Sequence, residues 1–313
     1  MSRLHRFPLL LLPALLALAC SAGPRATPNP TPGSYPGWPP NATDFELIPV
    51  PVTTEITVGS VRMLVNLLDD TNKSVAAPDR PVTLNLYDLG ADPVQPAVTA
   101  QATYMTTIAA LPGLYRATVN FNAAGAWGLE AITTEAGGAH RTGRMIFEVR
   151  ETGTTPALGA SAPASDTPTA TDAAGIAALS TDDDADPDFY TTSVADALTA
   201  HEPFVLVFAT PAFCTSATCG PTLDVVKQVA ADYKGPLTFI HVEPYQLQMT
   251  DGHLQPVLTA ENLPITVPAV DEWGLPTEPY VFVVDAAGKV SAKFEGIAAE
   301  DELRAAIDAV AGS

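Results

Sequence analysis

Two of the three cysteines in this chain of 313 residues, Cys214 and Cys219, stand with four residues between them in the stretch FATPAFCTSATCGPTLD. Thiols so close in sequence support three chemistries: disulfide exchange with a partner, a soft metal ion held by thiolates, or an inert staple. Pro221 suits the first turn of a helix, which starts that helix near Gly220 and leaves Cys219 against its N-terminus. Unpaired N–H groups and the helix dipole stabilise a thiolate there. The staple stands against this, because in an oxidising compartment Cys214 and Cys219 have each other to bond. A bridge closing so small a loop contributes somewhat less than the ~3 kcal/mol of a fifteen-residue loop.

The elements that must position the pair begin near Phe189, where strands and helices alternate. TTSVADALTAH opens on Thr and Ser as cap candidates and predicts a short helix. FVLVF is a continuous apolar run suited to a strand buried on both faces. After the cysteines, Leu223, Val226, Val229 and Ala230 recur at helical spacing. LTFIHV and YVFVVD predict two more central strands, and KVSAKFEG follows across an Asp-Ala-Ala-Gly turn as a hairpin partner. AEDELRAAIDAVAG predicts a closing amphipathic helix with acids in its first turn, where they suit the dipole.

This order, with two cysteines after the first central strand, resembles the thioredoxin fold over residues 189–313. TEPYVFVVDAAGKV is similar to the P-T-x-F-x-I-D-x-x-G-x-I stretch of its TlpA/ResA-like branch. The resemblance implies thiol–disulfide exchange by Cys214 and Cys219, with Pro279 as the cis-proline beside the site and Gly288 as the turn glycine. Pro276, in GLPT, is the rival proline. Loop length after FVLVF aligns Cys214 with the attacking thiol of that family, whereas Cys219-Gly220-Pro221-Thr222 aligns Cys219 with it, and the Cys-x4-Cys spacing departs from the family's Cys-x-x-Cys. TPAFCTSATC also resembles the TPGCTxEAC of the peroxiredoxin-Q class, which implies peroxidase chemistry. That class needs an arginine beside its thiolate, and no arginine occurs between Arg150 and Arg304. As an enzyme the chain is thus expected to be a thiol–disulfide oxidoreductase rather than a peroxidase. Two alternatives remain: a non-catalytic binding module with a structural disulfide, and copper delivery of Sco-like type. The latter implies Cu(I) held by Cys214, Cys219 and His241 or His253. No other cofactor is implied.

Residues 45–150 carry the period-two alternation of strands with one buried face. In GLYRATVNF, Tyr115, Ala117, Val119 and Phe121 point one way and Arg116, Thr118 and Asn120 the other. With TEITV, VRMLVNL, VTLNLYDL, AVTAQATYM, AWGLEAI and RMIFEVR this makes about seven strands, which predicts an all-β sandwich of immunoglobulin-like kind. LPGLYRATVNFNAAGAWGLEA resembles bacterial sandwich modules of YtkA/FixH type. Trp127 and Tyr115 read as core and His140 as a loop residue, so the block is expected to act as a spacer or protein-contact module. The expected fold is therefore two domains, an immunoglobulin-like sandwich followed by an α/β thioredoxin-like fold.

At the N-terminus, MSRLHRFPLLLLPALLALAC sets Arg3, His5 and Arg6 before an apolar run too short to span a bilayer, which reads as a secretory signal at 1–20. Its end, ALLALAC, resembles the lipobox of bacterial lipoproteins. That implies a lipid on Cys20 and a place on the outer face of a membrane in the cell envelope; cleavage after Ala17-Leu18-Ala19 is the alternative. Residues 21–44 predict a Pro-rich extended linker and residues 151–188 a disordered acidic one. Asp182, Asp183, Asp184, Asp186 and Asp188 lack the glycine and terminal Glu of a calcium loop. A net charge of -20 excludes nucleic acid and offers no basic patch to anionic lipid. From Glu151 onward, 24 acids face 5 bases. The expected partners are extracytoplasmic protein thiols or disulfides, with the membrane reached only through the anchor.

Overall fold

The computed structural model describes residues 35–38, 47–106, 113–134, 138–233, 235 and 237–311. The expected signal with Cys20, and most of the Pro-rich linker, lie outside them. Seven strands come first: β1 (Ile48–Pro51), β2 (Gly59–Leu68), β3 (Val82–Asp88), β4 (Val98–Met105), β5 (Leu114–Phe121), β6 (Gly125–Thr134) and β7 (His140–Val149). They pair antiparallel in the order β1-β2-β5-β4-β3-β6-β7.

Among the described residues the two packed sheets of an immunoglobulin-like sandwich are therefore not present. One nearly closed, barrel-like sheet replaces them. It curls around its own apolar face, so that Leu47, Met63, Leu84, Tyr115, Phe121 and Trp127 share a single core. Alternation shows that each strand buries one face, and a curled sheet satisfies that as well as two stacked ones do. TEITV forms only a bridge between Thr57 and Arg150, and the strand lies earlier, at β1. As an edge strand bonded only to β2, β1 tolerates Pro49 and Pro51, whose nitrogens have no hydrogen to donate.

The rest of the chain runs α1 (Ala173–Leu179), a 3-10 turn (Pro187–Tyr190), α2 (Val194–Ala200), β8 (Phe204–Phe208), α3 (Cys219–Ala230) and β9 (Thr238–Val242). There follow β10 (Leu247–Thr250), β11 (His253–Pro256), α4 (Pro268–Glu272), β12 (Tyr280–Val284), β13 (Val290–Glu295) and α5 (Glu300–Ala311). The α/β thioredoxin-like class expected for this region is likewise overturned, because the molecule is mostly β, with 38% strand and 18% helix. Among the described residues only α3 and α5 reach 12 residues. Between β9 and α4 the chain folds back as the β10–β11 hairpin. The order of elements along the sequence had suggested a class that their lengths do not support. The four-stranded sheet here has the order β13-β12-β8-β9, with β8 and β9 parallel and the other pairs antiparallel.

Residues 151–188 are not a disordered linker. Asp172 caps α1 by accepting from the Gly175 amide, and Ile176 of that helix enters the core beneath the four-stranded sheet. Asp182 is spent on Lys227 at 2.8 Å, and Asp186 caps the 3-10 turn. Composition hid this because the segment borrows its core from elements distant in sequence. Its first residues are strapped to the N-terminal sheet, where Glu55 accepts from the Thr154 and Thr155 amides. Gly274, at φ +60, lies so close to the Thr154 carbonyl that a Cβ would overlap it. A Gly274→Ala substitution is expected to lower unfolding free energy by about 2 kcal/mol or more in urea denaturation, adding the left-handed penalty to that clash. An unchanged midpoint would show that the strap does not pack there.

Candidate functional site

All five residues of β8 are fully buried. Val205 and Val207 face one core, while Phe204, Leu206 and Phe208 face the other. The chain leaves the sheet at Ala209 and Thr210, both without exposure, crosses a loop and enters α3 at Cys219.

Cys214 and Cys219 form a disulfide with Cα atoms 5.9 Å apart. Their surroundings differ. Cys219 has no exposed surface and belongs to the core with Leu223 and Val226, whereas Cys214 is half-buried at its edge. The Cys219 amide donates to Cys214 Sγ at 3.2 Å, and Ser216 Oγ lies 3.2 Å from the same sulfur and 2.7 Å from Thr218 Oγ1. This corrects the expectation for Cys219. The helix starts at Cys219 itself, so the first helical N–H points at Cys214 and the packing removes Cys219 from solvent. Closing the loop sets Ala217 at φ 58, a left-handed conformation costing about 1 kcal/mol for a residue with a Cβ.

The Glu278–Pro279 bond is cis, and Pro279 is buried at the start of β12. Its carbonyl accepts from the Gly296 amide at 2.9 Å, and the Gly296 carbonyl accepts from Thr222 Oγ1 at 3.3 Å. The proline is thus tied through two bonds to the first turn of α3. Pro276 is exposed, and its peptide bond is not cis.

The histidines do not join the sulfurs. His241 is 3% exposed; its Nε2 donates to the Ala209 carbonyl at 2.9 Å, and its Nδ1 accepts from the Tyr190 hydroxyl at 2.7 Å. Both ring nitrogens are therefore occupied. His253 is exposed on the β10–β11 hairpin. Among the described residues no three His, Cys, Asp or Glu side chains gather as a metal site. Arg304, the lone arginine beyond Arg150, is engaged by Asp232 and Glu300, so the guanidinium needed for peroxidase chemistry is committed elsewhere.

One acid escaped the sequence reading. Glu243 is 5% exposed at the end of β9, and its carboxylate accepts from the Thr181 amide at 2.7 Å and from the Thr181 hydroxyl. The Thr181 hydroxyl in turn accepts from the Ala212 amide of the cysteine loop at 3.1 Å. Burial raises the pKa of Glu243 against the opposing bonds of Thr181. Period two places it on the face of His241 in HVEP, a signal available in the sequence one residue beyond the strand predicted at LTFIHV.

Burial lowers the His241 pKa to about 4, since an imidazolium there would lose its water. An unfolded chain binds this proton near pH 6.5, so the folded state binds fewer protons between those values. The contribution is complete above pH 6.5 and lost as pH falls toward 4. Glu243 acts in the opposite sense, with its contribution lost as pH rises above 4.5. Urea denaturation is expected to show the wild type losing up to roughly 3 kcal/mol more than His241→Gln between pH 7 and pH 4. Equal losses would mean that the ring takes up a proton while folded. No protein-family model matches this chain and no curated protein matches it, so the functional reading rests on these side chains.

Proposed function

We propose that this chain exchanges disulfides with extracytoplasmic proteins through Cys214 and Cys219, with Cys214 as the sulfur that meets the partner. The observation that carries the reading is the asymmetry of the pair. The outer sulfur accepts the first N–H of α3 and faces a hydroxyl, while the inner sulfur is sealed in the core. Those donors stabilise a thiolate on Cys214 once the bond is reduced.

In the reducing direction, the Cys214 thiolate attacks one sulfur of a partner disulfide, forming a mixed disulfide and expelling the partner's other sulfur as thiolate. Cys219 gives up its proton and attacks Cys214 Sγ. The intramolecular bond re-forms, and the partner's first sulfur leaves as thiolate. Two electrons pass from the pair to the partner; the reverse sequence oxidises a partner dithiol. The lipobox-like ALLALAC supports a lipid on Cys20 that would hold this chemistry at the outer face of a bacterial membrane.

After reduction, iodoacetamide is expected to modify Cys214 at least about tenfold faster than Cys219, because reactivity follows thiolate character and access. A Cys219→Ser variant should accumulate a mixed disulfide with a model disulfide, and Cys214→Ser should not. Faster labelling of Cys219 would reverse the assignment. A pair that stays oxidised against a couple poised near about -300 mV would identify a staple and sink the exchange reading.

A further inference from the structure

Beside the disulfide lies a cleft of about 350 Å³ that neither half of the chain forms alone. Ser216 and Thr218, from between the cysteines, stand on one side with Glu278, the residue before the cis-proline. Val52, Leu64 and Leu114 of the N-terminal sheet stand on the other, and Ile297 lies between them. Leu64, Leu114 and Ile297 pack into one small apolar cluster with Met105. Val52 is 41% exposed at its mouth.

We infer that this cleft receives an extended segment of the partner protein that carries an aliphatic and a basic side chain next to its reacting cysteine. The N-terminal sheet then acts as a wall that selects substrate. The inference rests on the exchange chemistry proposed above. A partner sulfur reaching Cys214 must lay its neighbouring residues over Ser216 and Thr218, which line the cleft. The space lies at the small end of ligand-sized pockets, enough for side chains of an extended strand and too little for a helix 10–12 Å across.

The charge of the lining selects the sign. Two carboxylates, Glu278 and Glu295, border the cleft, and among the described residues no lysine or arginine does. Glu295 is already bonded by the Thr54 amide at 3.0 Å and the Glu55 amide at 3.3 Å. Glu278 receives the Tyr245 hydroxyl at 3.1 Å. Burial raises its pKa with no cation to offset the effect. A lysine or arginine on the occupant would supply the missing counter-charge, and the Leu64–Leu114–Ile297 cluster would take the aliphatic side chain.

The test uses the full chain, reduced, in single-turnover reactions with three disulfides. Two are mixed disulfides of matched peptides, one with Lys and Leu flanking its cysteine and the other with Glu and Leu; the third is 2-hydroxyethyl disulfide. The Lys peptide is expected to react about tenfold faster than the Glu peptide at low salt, with the ratio shrinking as salt screens the charges. Val52→Lys, at an exposed position, and Glu278→Gln should each bring the ratio toward one. Equal rates for the two peptides, with 2-hydroxyethyl disulfide still reduced, would overturn the cleft assignment and leave exchange intact. A protein inert toward all three would overturn the exchange reading and this inference with it.

Discussion

The position of every group at the site depends on β8 being hydrogen-bonded along both edges and buried on both faces. Its register sets Phe208 opposite Val242 of β9 and opposite Tyr280 of β12. The three strands therefore come together at one edge of the sheet, and the residues just beyond are Ala209 and Thr210, Glu243, and Pro279. A slip of one residue in either pairing would carry its apolar side chains to the opposite layer. Each of the five buried side chains contributes about 2 kcal/mol or more from removal of apolar surface, so the register is held firmly. The cysteine loop is consequently short, starts from a fixed point and must turn back at once into α3.

That return makes the two sulfurs unequal. Cys219 is both the first residue of a helix and a member of the apolar core, and its N–H has no partner within that helix. The amide is directed instead at the sulfur five residues earlier. Packing thus makes the pair asymmetric: the inner sulfur is sealed in the core, and the outer one is half-buried and carries the donors. The left-handed Ala217 is the local backbone cost of a four-residue spacing. Behind the loop, Thr181 bonds both the Ala212 amide and the Glu243 carboxylate, so the segment read from composition as a linker supports the loop from below.

Much of this was legible in the sequence at the level of elements. FVLVF, the helix after the cysteines, YVFVVD and the closing amphipathic helix lie where apolar periodicity puts them, because each pattern is local. What periodicity could not carry was the way strands share sheets. Alternation in GLYRATVNF identifies a buried face without saying whether the opposing apolar surface belongs to another sheet or to the same one curled round, so one sheet was read as two. The depth of Cys219 was not legible for a similar reason. Pro221 correctly marked a helix start, yet the depth of that start depends on Leu223 and Val226 packing against strands far away in sequence. Residues 173–179 failed by composition, since Ala and Gly make a helix look like a linker when a single Ile is its only deep anchor.

The acids of α5 explain why the two halves meet where they do. Glu300, Asp301 and Glu302 occupy its first turn, where the helix dipole favours negative charge. Asp301 and Glu302 also supply the docking contacts: Arg62 reaches Glu302 at 2.7 Å and the Ile297 carbonyl at 2.9 Å, and Arg116 binds Asp301 and Glu302. With side-chain exposures of 14% for Arg62 and 18% for Glu302, this pair is partly desolvated, and losing one member would leave the other poorly solvated. Lys293 with Glu55, at 2.8 Å, fastens the same face; burial would raise the Glu55 pKa, but the Lys293 and Thr155 bonds hold it at about 2. In a chain with so few cations, three are spent at this seam. The consequence reaches the site, because the Arg62 bond to the Ile297 carbonyl sets the height at which Leu64 and Leu114 meet Ile297. That contact brings the N-terminal sheet level with Ser216 and Thr218, so a β-sheet without reactive groups of its own comes to border the disulfide.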